Sequence, residues 1–239
     1  PDVLLPVAVC QDGFITGHGL ERVEIYEDDD VQGFIGTYEP QWPLLDLDNP
    51  KTYGPLDFYD YYYEHKRQQI EGMENAKPVI LDVAKEFNER FDRNYGLFEA
   101  YRLDDADVAV VVANSTAGTA KTVVDGLRDE GLKVGMLKIR LFRPFPAEEL
   151  VQALSHLEAV AVMDRSVSFG AMENAGPLYL ELLAALAAHG VDTPVTDYVY
   201  GLGGRDILPR EIERVFREAL DVAESGQVER AVTYLSVRE

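Results

Sequence analysis

From residue 95 onward, apolar runs of strand length alternate with stretches of helical periodicity, and that alternation leaves few folds open. DVAVVVAN (107–114) is apolar throughout its middle, as a strand buried on both faces must be. AGTAKTVVDGLRDEG (117–131) reads as a helix stopped by Gly131, and KVGMLKIRL (133–141) as the next strand, after which FRPFP turns the chain. AEELVQALSH (147–156) reads as a helix and EAVAVMD (158–164) as a strand. ENAGPLYLELLAALAAHG (173–190) is mostly helical and closed by Gly190, PVTDYVYG (194–201) is a strand, and 209–224 is the last helix. YGLFEAYRL (95–103) suits an edge strand. Strands and helices in this succession predict an α/β fold, a mostly parallel sheet covered by helices on both faces.

The first part of the chain has a different texture. Pro40, Pro43, Pro50 and Pro55 stand among aromatics, and each proline blocks helix interiors and most strand interiors. Residues 1–58 therefore read as an extended arm laid on another surface, since so many aromatics would be sticky if free. Residues 59–94 read as linking helices. Ile70, Met73, Ile80, Val83, Ala84 and Phe87 form an apolar stripe within a helix over 60–92, with a break or kink expected near Lys77-Pro78. Residues 95–239 form the α/β domain. The first residue is Pro1 rather than Met, so a chain cut or processed from a longer one is expected.

Charge and cysteine content narrow the function. Acidic residues number 43 against 22 Lys and Arg, for a net charge of −21. Such a surface argues against nucleic acid and anionic membranes as partners and suits solubility or a salty interior. The single cysteine, Cys10, rules out an internal disulfide, a Cys-rich zinc site and an iron–sulfur cluster held by this chain alone. The longest apolar run, near 178–188, contains Glu181, so no transmembrane helix is predicted. No signal peptide is read, and a cytoplasmic location is expected.

Three loops invite a ligand. GLGGRDILPREIERVF (201–216) resembles a phosphate cradle, yet it lacks the Lys-Ser/Thr of a Walker loop and follows the last of the strands read here, not the first. A tight turn is the better reading. Gly203 and Gly204 would take positive φ and present Arg205 and Asp206 to a neighbouring domain or subunit; a local pair of Arg205 with Asp206 or Glu211 is the alternative. ANSTAGTAK (113–121) could be an anion site at a helix N-terminus or an ordinary capped loop. DRSVSFGAMENAG (164–176) is a polar loop after a buried strand, where open α/β sheets place contacts, with Ser168, Phe169 and Gly170 as interface candidates. The four histidines, His18, His65, His156 and His189, do not cluster, so no metal site is indicated. No catalytic pair stands out among so many carboxylates, and cofactor-binding residues stay unassigned.

Several stretches together resemble one family. VCQDGFITGH, YEPQWPLLDLDNPKTYG, YYYEHKRQQIEGMENAKPVI, NSTAGTAKTVVDGLRDEGLKVGMLKIRLFRPFP, DRSVSFGAMENAGPLY and YVYGLGGRDI run in the order found in alpha subunits of pyruvate:ferredoxin oxidoreductases, members of the 2-oxoacid:ferredoxin oxidoreductase family. The resemblance covers nearly the whole chain. It implies that 95–239 is a transketolase C-terminal-like domain and that the stretch before Lys51 is the end of a pyrimidine-binding domain with its connecting arm. It further implies a complex that decarboxylates a 2-oxo acid oxidatively, with thiamine diphosphate and Mg²⁺ at the reacting centre. Coenzyme A would take the acyl group, and iron–sulfur clusters would pass electrons to ferredoxin. The implied partners are beta, gamma and delta subunits or their equivalents and a second copy of the complex, with ferredoxin docking elsewhere. The ring-activating glutamate would precede Pro1, and Mg²⁺ and diphosphate would be held by the beta subunit. Two departures stand out: the family usually has glycine near Asn114, and GAMENAGPL is poorer in glycine than usual. A stand-alone small-ligand module, or a self-sufficient enzyme built on loops 164–176 and 201–206, is the alternative.

Overall fold

The computed structural model describes residues 1–238. The chain packs as two units. One comprises Pro1–Val9 with Leu20–Asn94, and the other Cys10–Gly19 with the chain from Tyr95 onward.

The second unit is built on a six-stranded sheet in the order β1-β3-β2-β4-β5-β6. Its strands are β1 (Phe98–Tyr101), β2 (Val108–Ala113), β3 (Val134–Ile139), β4 (Ala159–Asp164), β5 (Val195–Val199) and β6 (Val232–Tyr234). β1 and β6 are the edge strands; β1 is antiparallel to β3, and the other pairings are parallel. The valine-rich strands alternate between two cores because successive side chains point to opposite faces. Ala109, Val111, Val160 and Val162 meet α5 (Ala147–Leu154) and α6 (Pro177–Ala188) on one face. Val108, Val110, Val112, Ala161 and Met163 meet α4 (Thr116–Asp129) and α7 (Pro209–Ser225) on the other. Helices cover both faces, as the α/β pattern predicts.

α7 shows how the sequence specifies a helix. Pro209 fills the first position, where no N–H is needed, and the Glu211 carboxylate accepts the Leu208 N–H at 2.8 Å. Ile212, Val215, Phe216 and Ala219 form the buried stripe, and Gly226 ends the helix at φ 67°. β6 lies beyond the last helix expected from the sequence. Three residues are too few to show an alternation, and their strand character comes from pairing with β5.

The second unit also holds the single turn α1 (Ile15–His18), and in the first unit the arm holds one helix of two turns that lacks a sequence signal, α2 (Asp28–Ile35). It packs on the end of α3 (Tyr62–Phe91) through an aromatic cluster. Phe34 lies 5.4 Å from Phe87, and Tyr26 lies 4.3 Å from Phe91, ring centre to ring centre. The expected break at Lys77-Pro78 is absent, and α3 runs through it as one helix of 30 residues. Pro78 and Glu74 both face solvent, so the Glu74 carbonyl that loses its intrahelical donor can bond water. Ala76 is the one residue of α3 that is buried.

Candidate functional site

The sheet order makes β2 and β4 neighbours whose connections leave in opposite directions, β2 to β3 on one side and β4 to β5 on the other. At such a switch point the carboxyl ends of the strands open a crevice, the usual ligand site of open α/β sheets. Here the chain fills it with its own segment. The Asp12 carboxylate accepts the Ser115 N–H at 2.9 Å and also bonds the Ser115 hydroxyl and the Thr16 hydroxyl. Arg165, just after β4, sets a guanidinium nitrogen 3.9 Å from the same carboxylate. Burial raises the Asp12 pKa, but the Ser115 and Thr16 bonds and the Arg165 charge outweigh it and hold the group below its ordinary value. Asp12 therefore stands where an external anion would sit at the start of α4. The anion-site reading of 113–121 is corrected accordingly: the loop is capped, by a carboxylate from a distant segment and not by its own Ser115, whose side chain makes no cap bond. Asn114 makes the turn into α4 at φ 56°, a left-handed conformation asparagine tolerates.

The loops after β2, β4 and β5 are tied together at this end. Tyr200 donates its hydroxyl hydrogen to the buried Thr116 hydroxyl at 2.8 Å. Arg165 Nε donates to the Gly201 carbonyl at 3.3 Å, and the Tyr200 N–H to the Asp164 carbonyl at 3.0 Å. The two groups of interface candidates thus lie on adjacent loops. In one, the Ser168 N–H donates to Ala175 O at 2.9 Å, Gly170 turns at φ 80°, and Phe169 is 92% exposed. In the other, Gly203 and Gly204 take φ 67° and 81° within a tight turn, and Asp206 is exposed. Arg205 pairs with neither Asp206 nor Glu211; its guanidinium donates to the Ser236 carbonyl.

Sequence reasoning missed Asp164 and Asp197, two buried carboxylates beneath the 164–176 loop. Asp164 accepts the N–H groups of Leu178 and Tyr179 at 3.2 and 2.9 Å, and Asp197 accepts that of Gly176 at 2.7 Å. Burial pushes Asp197 up to about 7 against these bonds, and raises Asp164 too. Gly176 is required here, because a Cβ would overlap the Asp164 carboxylate.

Among the described residues no cluster of three or more His, Cys, Asp or Glu could hold a metal ion, and no helix is long and apolar enough to cross a membrane. One exposed cysteine, Cys10, does not fit an iron–sulfur cluster.

Two family models match in succession. The model described as "Pyruvate flavodoxin/ferredoxin oxidoreductase, thiamine diP-bdg" covers residues 1–85, and that described as "Pyruvate:ferredoxin oxidoreductase core domain II" covers 106–212. The chain is 50% identical over 238 residues to the pyruvate synthase subunit PorA of Thermotoga maritima, covering 100% of this chain and 59% of that protein. It is 40% identical over 238 residues to PorA of Methanothermobacter thermautotrophicus, covering 100% of this chain and 58% of that protein. It is 37% identical over 237 residues to the ketoisovalerate oxidoreductase subunit VorA of Pyrococcus horikoshii, covering 99% of this chain and 59% of that protein. The chain spans about three-fifths of the length of the curated relatives it matches. With both models falling in order along one chain, and half its residues identical to one such subunit from end to end, it belongs to the alpha-subunit family of the 2-oxoacid:ferredoxin oxidoreductases.

Proposed function

We propose that this chain is part of the alpha subunit of a thiamine-diphosphate-dependent 2-oxoacid:ferredoxin oxidoreductase, with pyruvate as substrate. The complex would convert pyruvate and coenzyme A to acetyl-CoA and CO₂ and pass two electrons to ferredoxin. The observation that carries this reading is the 50% identity to a pyruvate synthase subunit along the whole chain. Thiamine diphosphate, when bound in the assembled enzyme, supplies the electron sink for decarboxylation. With a single cysteine, this chain is read as holding no iron–sulfur cluster; electron transfer, ferredoxin docking and Mg²⁺ would fall to companion subunits, the last to a beta-type subunit.

The part played by residues 95–239, the transketolase C-terminal-like domain, is structural and assembling. Asp12 fills the switch-point crevice, which leaves the stand-alone small-ligand reading without its natural site. Phe169 and Met172 on one loop and Leu202 on the next expose apolar side chains at the same end of the sheet. With Ser168, Gly170, Gly203, Gly204, Arg205 and Asp206 they form the surface that would meet a neighbouring domain or subunit. Residues 1–58, rich in exposed apolar groups such as Leu47 and Tyr59, would be the end of the pyrimidine-binding domain and its connecting arm. Residues 59–94 would link the two parts.

The test is capture of a tagged form of the chain from its own cells under native conditions. The expected result is a complex of several hundred kilodaltons, one companion being rich in cysteine, that reduces ferredoxin in the presence of pyruvate and coenzyme A. Capture of the chain as a lone monomer, with that activity left entirely in the depleted extract, would overturn the reading.

A further inference from the structure

Asp164 and Asp197 have no role in the function proposed above, yet their placement is unusual. Asp164 ends β4 and Asp197 lies within β5, both under the start of α6. Asp197 is fully buried and Asp164 is 5% exposed. Between them they accept three N–H groups, from Gly176, Leu178 and Tyr179, that open the helix. Asp197 Oδ1 is buried and meets no hydrogen-bond partner. The titratable groups facing Asp197 are Asp164 from β4 and Tyr179 from α6, and Glu173 in the loop acts in turn on Tyr179. β6 sets Val232 beside it, and Tyr234 turns its hydroxyl to the Asn174 carbonyl at 2.8 Å. No cation is among the groups that act on Asp197. Two ionised carboxylates could share one helix N-terminus here only at a large desolvation cost.

The loop they anchor is strained. Glu173 and Asn174 are consecutive left-handed residues, at φ 55° and 52°, and neither is glycine. They are held by the Asn174 N–H to Ala171 O at 3.0 Å, by the Gly170 N–H to Asn174 Oδ1 at 3.1 Å, and by the Tyr234 bond. The last anchor before α6 is the Gly176 bond to Asp197.

We propose that Asp164 and Asp197 form a proton-operated latch that sets how tightly loop 165–176 and the first turn of α6 are held. The pair keeps one proton while the loop is closed, carried at Asp197 Oδ1. Opening exposes the carboxyl to water, where the proton leaves. Closing is therefore favoured in acid and weakens as pH rises toward neutrality, and the display of Phe169 and Met172 on this loop follows the proton. The latch operates within this chain and does not depend on the assembly reading.

Hydrogen exchange of the full chain, followed by mass spectrometry from pH 5 to 9 and corrected for intrinsic rates, tests this. Protection of peptides spanning 165–180 should fall about tenfold per pH unit up to neutrality, roughly a hundredfold in all, and then level off. Peptides of α4 and α7 should keep constant protection. Asp197→Asn, which cannot ionise, should flatten the profile. Should that variant fail to fold, ¹³C-carboxyl titration of the aspartate-labelled wild type decides the matter: one buried carboxyl should titrate near neutrality in step with the Gly176 amide. A pH-independent loop, an unchanged slope in Asp197→Asn, or aspartates that all titrate below pH 5 would each overturn the proposal. The last result would mean an ionised Asp197 solvated by a buried water.

Discussion

Three aspartates show how placement separates identical side chains. Asp12 is held below its ordinary pKa, so its stabilisation is present above the unfolded carboxylate range and is lost as pH falls through its folded value. Asp12→Ala removes a charged acceptor from Ser115 and should cost about 1.5–3 kcal/mol at neutral pH, with the difference from wild type shrinking as the pH falls into acid. Urea denaturation at pH 7 and pH 3 checks this. Asp197 has the opposite sign. Its pKa is raised from 3.8 to about 7, so the pH-dependent part of its cost is zero below the unfolded value, grows with each pH step between the two, and is constant above the folded one. Asp197→Asn should flatten the decline of stability with pH over that window. Gly176→Ala sets a methyl group against the Asp164 carboxylate and should cost about 1–3 kcal/mol, read as a lowered melting temperature. None of the three aspartates was legible in the sequence. With 43 acidic residues, no local pattern says which will be carried under a helix N-terminus.

At the scale of the element, sequence and structure agree best where the code is local and long. α7 has its proline, its capping glutamate, its buried stripe and its closing glycine in order. Phe216, fully buried in that stripe, should cost about 3–5 kcal/mol on truncation to Ala, measurable by chemical denaturation. α3 is the counterexample. Its proline was expected to break or kink it; there is no break, and the helix continues because the lost bond falls on the solvent side. Pro78→Ala restores the missing donor and removes the ring clash, a fault worth roughly 3 kcal/mol in a helix interior. The variant should raise the helical circular dichroism signal and the melting temperature. β6 was not legible, since a strand of three residues exists through its partner and not through its own periodicity.

For the whole molecule, charge and exposed surface decide behaviour in solution. A net charge of −21 repels itself, and the repulsion reaches about 30 Å at 0.01 M salt but only about 3 Å at 1 M. The melting temperature should therefore rise with sodium chloride over that range, and a flat response would show that opposite charges already balance locally. The first unit leaves much of its apolar side-chain area uncovered, including Leu20, Leu44, Leu47 and Tyr59. The isolated chain should bind a hydrophobic dye, read as a rise in dye fluorescence. The division of labour between the units was only partly legible. The second unit resumes at Tyr95, and the transfer of Cys10–Gly19 to it, which no local pattern announces, rests on contacts made about a hundred residues later.

By itself, the sequence determined the α/β class, the succession of strands and helices from β1 to α7 and the turns that close them, because periodicity, capping and glycine placement act within a few residues of each other. It also carried the family, through stretches whose order is preserved along the chain. The tertiary structure decided which loops share one end of the sheet, which helix covers which face, and that Asp12 fills the switch-point crevice. It also decided that two of many carboxylates lie buried together. Those outcomes depend on strand order and burial, which join residues far apart in the chain, and a desolvated carboxylate differs from a solvated one only through what the fold sets around it.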